Sequence, residues 1–303
     1  MSREMTRRNF VGTYLSTGTA LIAASMAPSV FANTSKPIPI EQGSITTPNG
    51  LRIAYERQRN GGHPVLLIPG TMCDRGIWRP VQEAFQRFDT ILLDNRDSGQ
   101  SSLSPSNYTL RDMAEDALAL LDELRIERVH LVGHSMGGQI AQELALMAPA
   151  RVSRMLLANT WARTDDNMNA MFDSWEVLRN YQSDEAFAKS MTIYGNGSST
   201  LSRRTVDELL EASAKILAPQ EPAAFLRNVE ADRKADTLSR LGEIKARTLV
   251  LWSEEDRCLL PPHAKQLEKG IPGAKSVRIR NCGHNSMGER SNVFMKIAED
   301  FLI

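Results

Sequence analysis

The segment Gly133-His134-Ser135-Met136-Gly137 places one hydroxyl between two glycines, with an apolar run (128–133) before it and a helical pattern (138–149) after it. A strand-to-helix turn this tight strains its corner residue. It is tolerated only where the residues two before and two after lack side chains. The bend lifts the Ser135 Oγ clear of its neighbours and aims the Met136 N–H and the helix N-terminus at whatever Oγ attacks. Such a corner suits nucleophilic attack, for which a serine needs a base. Five histidines are available. His63 and His130 read as structural, His134 as a packing residue and His263 as a surface helix position. His284, in "NCGHNSMGE", follows the last strand pattern within three residues and is the expected base. The base needs an acid to fix its tautomer and stabilise its cation. Asp256 is the expected acid, ahead of Glu254 and Glu255, because the strand ends at Trp252 and the chain must turn back toward His284. Asp165 and Asp166 are the rival acids.

Side chains so far apart in sequence need a framework to bring them together. A hairpin is predicted over 44–58, around Asn49–Gly50. Short continuous apolar runs at 63–70, 90–95, 128–133 and 153–159 alternate with helical patterns at 76–88, 110–124 and 138–149. The alternation stops near residue 160, and 161–236 show only helical patterning. It resumes with a strand at 246–252, a helix from Pro261–Pro262, a strand at 275–281 and a final helix near 289–302. Buried strands separated by amphipathic helices predict an α/β fold: a mostly parallel sheet with helices on both faces and an inserted helical cap. The loops after residues 68, 94, 133, 159, 252 and 281 should share the rim at the strands' carboxyl ends, where ligands sit in such sheets.

The chain has 303 residues, 42% hydrophobic and 24% charged, with zero formal net charge. That is an ordinary globular composition, and nothing in it points to nucleic acid as a partner. "TRRNFVG" (6–12), a weakly apolar run (11–27) and "SVFAN" (29–33) resemble a twin-arginine export signal with small residues Val30 and Ala32 before the cut. The run is short and polar-interrupted for a membrane span, so no stable anchor is expected after cleavage and the mature protein should be periplasmic or secreted. The expected organisation is signal peptide 1–32, Pro-rich linker 33–43, core 44–160, helical cap 161–236 and core 237–303. Cys258 and Cys282 flank the proposed acid and base. Export permits a disulfide between them, but three buried free thiols (Cys73 included) are the expected state.

Taken together, "GHSMGG", "LDNRDSGQS" (93–101), "SEEDRCLLP" and "CGHNSMGE" occur in the order found in the α/β-hydrolase superfamily, which the whole mature chain resembles. The resemblance implies an α/β-hydrolase fold and a Ser135–Asp256–His284 triad. By matching position, it implies an oxyanion hole from the Thr71 and Met136 backbone N–H groups, with Met72 N–H as the alternative to Thr71. Two departures stand out. The loop after the early strand reads Pro69–Gly70 where many members carry His–Gly, and Asp97 occupies a loop that is usually Arg–Gly–x–Gly. Asp97 is read as hydrogen-bonded support, with a substrate-facing role as the alternative.

The implied reaction is acyl transfer to water on an ester-like, small and apolar substrate, without cofactor or metal. Met72, Trp161, Met171, Phe172 and Trp175 are expected in the substrate pocket, with Met168, Met191, Tyr194 and Phe225 as further cap candidates. Some of these should simply pack cap helices together. The same triad also serves acyltransferases, carbon–carbon bond hydrolases and cofactor-free haloperoxidases. A non-catalytic small-molecule sensor is the reading from another class.

Overall fold

A computed structural model describes residues 39–303. The export signal read over 1–32 and the start of the linker lie outside the described residues. Among the described residues, no helix is long and apolar enough to cross a membrane.

Strands β1 (Ile40–Thr46), β2 (Arg52–Gln58), β3 (Pro64–Ile68), β4 (Asp89–Leu93), β5 (Val129–His134), β6 (Val152–Ala158), β7 (Arg247–Ser253) and β8 (Lys275–Ile279) form one sheet. Their order is β1-β2-β4-β3-β5-β6-β7-β8, with β1 and β2 antiparallel and β3 to β8 parallel. The linker read over 33–43 ends sooner than expected: β1 takes up residues 40–43, where backbone pairing with β2 outweighs the polar composition.

The short apolar runs become strands buried on both faces because strand side chains alternate. Leu66 and Ile68 of β3 enter one core, and Val65 and Leu67 the other. In β6, Met155 and Leu157 divide from Leu156 and Ala158 in the same way. The first core is covered by α1 (Leu110–Glu123) and α2 (Met136–Met147), and the second by a 3₁₀ helix (Arg75–Phe85) and the C-terminal helix. Helical spacing over 76–88 suggested an α-helix. The 3₁₀ form contains Pro80, which has no N–H to donate and crowds the carbonyl four residues back.

Between β6 and β7 lies the helical insertion: α3 (Asp166–Tyr181), α4 (Asp184–Gly195), α5 (Ser198–Leu201), α6 (Val206–Ala214) and α7 (Pro222–Arg233). Local chemistry starts several of these helices. Asp165 caps α3 through Met168 N–H, Thr205 and Glu208 form a capping box on α6, and Pro222 opens α7. The two ends of the insertion are pinned together by Thr237 N–H to Ala162 O at 2.8 Å and Thr164 N–H to Ala235 O at 3.1 Å. The chain finishes with α8 (Pro261–Gly270), α9 (Ser286–Glu289) and α10 (Ser291–Leu302).

β3 has β4 on one side and β5 on the other. The connections leaving β3 and β5 therefore pass to opposite faces and open a crevice at the carboxyl ends of these strands. The loop after β3 and Ser135 both lie there.

Candidate active site

Ser135 stands between β5 and α2 with φ 54° and ψ −123°, a backbone conformation that side chains other than glycine rarely adopt. Its N–H donates to Ala158 O at 3.0 Å, and its carbonyl accepts from Thr160 Oγ1 at 2.7 Å and Gly138 N–H at 2.9 Å. The glycines are steric requirements. A Cβ on Gly133 would lie 2.3 Å from Gly137 O, and one on Gly137 would lie 2.1 Å from Ile68 O. Met136 is the first residue of α2, so its N–H has no acceptor within the helix and points toward the serine side.

The loop after β3 is a tight turn closed by Cys73 N–H to Gly70 O at 3.2 Å, with Met72 at φ 66°. The N–H groups of Thr71 and Met72 are left out of that closing bond, so both alternatives for the second oxyanion donor persist. A Cβ on Gly70 would meet the Ser135 Cβ at 2.9 Å, so Pro69–Gly70 brings this loop against the serine. Behind it, buried Arg75 pairs with Glu56 at 3.0 Å and with Asp94, while its own N–H donates to Asp94 at 2.9 Å. Breaking one partner of such a buried set costs about 3–5 kcal/mol, which holds the loop in place.

His284 follows β8, and its Nδ1 lies 2.8 Å from Asp256 Oδ2. Asp256 is buried and also accepts from Cys258 N–H at 2.8 Å and Leu259 N–H at 2.9 Å on Oδ1, and from Asn159 Nδ2 at 2.8 Å on Oδ2. Burial works to raise its pKa. The His284 ring, by charge and hydrogen bond, together with Leu259 N–H and Asn159, holds it below the ordinary value. The carboxylate is therefore ionised and orients the imidazole, leaving Nε2 as the unengaged ring nitrogen.

His134 turns out to have a partner. Its Nε2 lies 3.0 Å from His284 O and its ring centroid 4.8 Å from that of His284. Burial drives its pKa down to about 3, so the ring is neutral, donates to the carbonyl and braces the histidine loop.

Asn159 was not singled out by sequence reasoning. It sits just past β6 at φ 48°, with Ser286 Oγ donating to its Oδ1 at 3.0 Å. The only available signal was its place in a loop expected on the rim. Asp97 resolves to support: it is buried and accepts from Ser104 N–H at 2.7 Å, Tyr108 OH at 2.8 Å and both ends of the Arg227 fork at 2.6 and 2.8 Å. Arg227 lies on α7, so this pair fastens the insertion to the core.

His263 is a correction. It is buried, not on the surface, and Nε2 lies 3.5 Å from Asp165 of the insertion. Asp165 itself caps α3, and neither it nor Asp166 approaches His284 as a hydrogen-bonding acid. All three cysteines are free thiols. As expected, no bridge joins Cys258 and Cys282: Cys258 Sγ faces Tyr194 O at 3.7 Å and Cys282 Sγ faces Gly283 O at 3.5 Å.

Ser135 and His284 line one cavity of about 600 Å³, mostly apolar, roofed by Trp175, Phe187, Met191 and Phe225. Of the expected pocket residues, Met72 and Trp175 line it. Trp161, Met171 and Phe172 do not. They wall a second, much smaller cavity of about 10 Å³ that also touches Ser135 and Thr71. Trp161 and Phe172 face the junction of insertion and core, and are buried there by packing.

Asp256, Cys258 and His284 bring a carboxylate oxygen, a thiol and an imidazole nitrogen within 4.8 Å of one another. Asp256 and His284 are already committed to each other, and burial pushes the Cys258 thiol well above its ordinary pKa, away from the thiolate that ligation needs. The set favours a proton relay over a metal.

A family profile described as alpha/beta hydrolase fold matches residues 63–291. The chain is 30% identical over 241 residues to a candidate carbamate hydrolase, RutD, of Yersinia enterocolitica, covering 79% of this chain and 87% of that protein. Among solved structures it resembles a thermophilic esterase from Thermogutta terrifontis (27% identity, TM-score 0.75, 86% of this chain and 98% of that one). It also resembles the enol-lactonase from Burkholderia xenovorans (25% identity, TM-score 0.78, 86% and 99%).

Proposed function

Because the chain belongs to the alpha/beta hydrolase family, we propose that it is a serine hydrolase cleaving an ester-like bond through an acyl-enzyme on Ser135. The substrates in view are carboxylic esters, lactones or thioesters of small, largely apolar compounds. The observation that carries this reading is the 2.8 Å contact of His284 Nδ1 with ionised Asp256, together with the shared cavity of His284 and Ser135.

In this mechanism His284 Nε2 takes the Ser135 proton as Oγ attacks the carbonyl carbon. The Met136 N–H and one N–H of the Thr71–Met72 turn receive the oxyanion. The imidazolium, steadied by Asp256, returns the proton to the leaving group. Water, deprotonated by the same nitrogen, then releases the acid and frees the serine. Met136 N–H and the α2 N-terminus are fixed before the charge develops, so they stabilise it without reorganising.

A fluorophosphonate probe followed by peptide mapping tests the nucleophile. Labelling at Ser135, lost in His284→Ala, is expected, and Ser135→Ala should lower kcat by about 10⁶. Labelling elsewhere, or turnover by Ser135→Ala near that of the unaltered protein, would remove the assignment. Carbamates belong in the substrate panel because a relative carries that name. An added alcohol acceptor detects acyl transfer, and binding without turnover would favour a sensor. The export reading of residues 1–32 forms part of the same proposal. Cell fractionation with N-terminal sequencing tests it, and an unprocessed cytoplasmic chain would overturn it.

A further inference from the structure

Asp232, on the last turn of α7, is 1% exposed, although its insertion helix serves mainly to roof the site. Thr71 Oγ1 donates to its Oδ2 at 2.5 Å. Its Oδ1 is buried with no hydrogen-bond partner among the described residues. Together with Thr71 and Ser135, Asp232 lines the small cavity otherwise walled by Trp161, Phe172 and Trp175. A role confined to anchoring Thr71 would use one oxygen and leaves the second without a partner in a residue that walls a recess beside the nucleophile. Unpaired buried polar atoms are rare in native proteins, and one next to a reacting centre points to a ligand atom.

We infer that Asp232 is a specificity-determining residue whose Oδ1 donates a hydrogen bond to an oxygen on the carbon next to the scissile carbonyl, so that preferred acyl groups are 2-hydroxyacyl, 2-alkoxyacyl or 2-oxoacyl. The inference rests on the reading of Ser135 as nucleophile.

Three observations set the chemistry. The small cavity, about 10 Å³, has room for about one water-sized group, which suits a single oxygen substituent and excludes a long chain. Burial pushes the Asp232 carboxyl up to about 8, against a lowering by Thr71 and with no cation beside it, so the group keeps its proton at neutral pH. With Oδ2 accepting from Thr71, that proton belongs on Oδ1, and the site offers a donor that calls for an acceptor. Thr71 and Ser135 wall the same small cavity as Asp232, which places a bound oxygen next to the reacting carbonyl carbon. The rest of the acyl or alcohol part then occupies the large cavity.

Two isosteric pairs of phenyl esters test this: glycolate against propanoate, and methoxyacetate against butanoate, each pair exchanging an oxygen for carbon. The oxygen also activates the ester intrinsically, so each kcat/KM ratio is divided by the ratio for hydroxide hydrolysis. The expected normalised preference is about tenfold for the oxygenated ester, the scale of one well-placed hydrogen bond. It should fall toward one in Asp232→Leu and survive in part in Asp232→Asn, whose amide still donates. Ratios taken within one protein cancel any general loss of activity. A normalised ratio near one in the unaltered protein overturns the inference without any variant, and so does an unchanged ratio in Asp232→Leu. If neither pair is hydrolysed while the fluorophosphonate labels Ser135, the inference falls and the serine reading stands. If Ser135 is not labelled either, both fall.

Discussion

Asn159 Nδ2 and His284 Nδ1 converge on the same oxygen of Asp256, each at 2.8 Å. The acid therefore does not hold the base alone. A loop from the end of β6 shares the oxygen and fixes its direction, and Ser286, two residues past the base, holds Asn159 in turn at 3.0 Å. Removing a hydrogen bond to a charged group costs about 1.5–3 kcal/mol. Asn159→Ala should accordingly lower kcat by roughly 10–100-fold with little change in KM, because the loss falls on orientation of the imidazole and not on substrate contacts. Steady-state kinetics checks this, and a rise in KM at unchanged kcat would place Asn159 in substrate binding instead.

The strain at Ser135 is a stability cost retained for function. Its φ of 54° and ψ of −123° suit glycine. Ser135→Gly should raise stability by about 1–3 kcal/mol while abolishing turnover, and Ser135→Ala should abolish turnover with no such gain. Denaturant titration of the two variants side by side tells them apart.

Asp232 should make folding pH-dependent in a direction opposite to an ion-paired carboxylate. Its folded pKa, raised by burial from 3.8 to about 8, means that the native state holds a proton the unfolded chain gives up. The stability it contributes is fully present below pH 3.8 and is lost as the pH rises to about 8. The slope is at most about 1.4 kcal/mol per pH unit. Relative to the unaltered protein, Asp232→Leu should gain stability progressively across that window and level off above it. Denaturation midpoints at pH 5, 7 and 9 measure this, and a pH-independent difference would show that the carboxyl is ionised in the native state.

The Arg227–Asp97 pair joins α7 to the loop after β4, with the Asp97 side chain fully buried. Arg227→Met leaves that carboxylate without its cation, and a loss of roughly 2–4 kcal/mol is expected. Adding Asp97→Asn to the same chain should restore part of it, since the amide does not need a counter-charge. A double-mutant cycle by thermal or denaturant unfolding reads the coupling, and simple additivity would mean the two do not act as a pair.

The fold class, the strand positions and the serine corner were legible in the sequence because short-range physics writes them there. Burial on both faces makes Val65 to Ile68 a continuous run of apolar residues, and collision with Ile68 O demands glycine at 137 whatever else the chain does. The order of elements also places Asp256 and His284 on one rim. What remained hidden depends on which side chains the sheet order and the insertion bring together. Asn159 looks like any polar loop residue until β6 sets it beside β7. His263 reads as a surface position until the fold buries it and sets it 3.5 Å from Asp165. Trp161, Met171 and Phe172 part from Trp175 at the large cavity only through the packing of α3 and α7 on the core. Asp232 carries no local mark of its burial, because α7 sets it against Thr71, 161 residues away in sequence. Periodicity and sterics act over a few residues and leave a local trace. Contacts across the fold are set by the mutual packing of distant elements, which no single stretch of chain records.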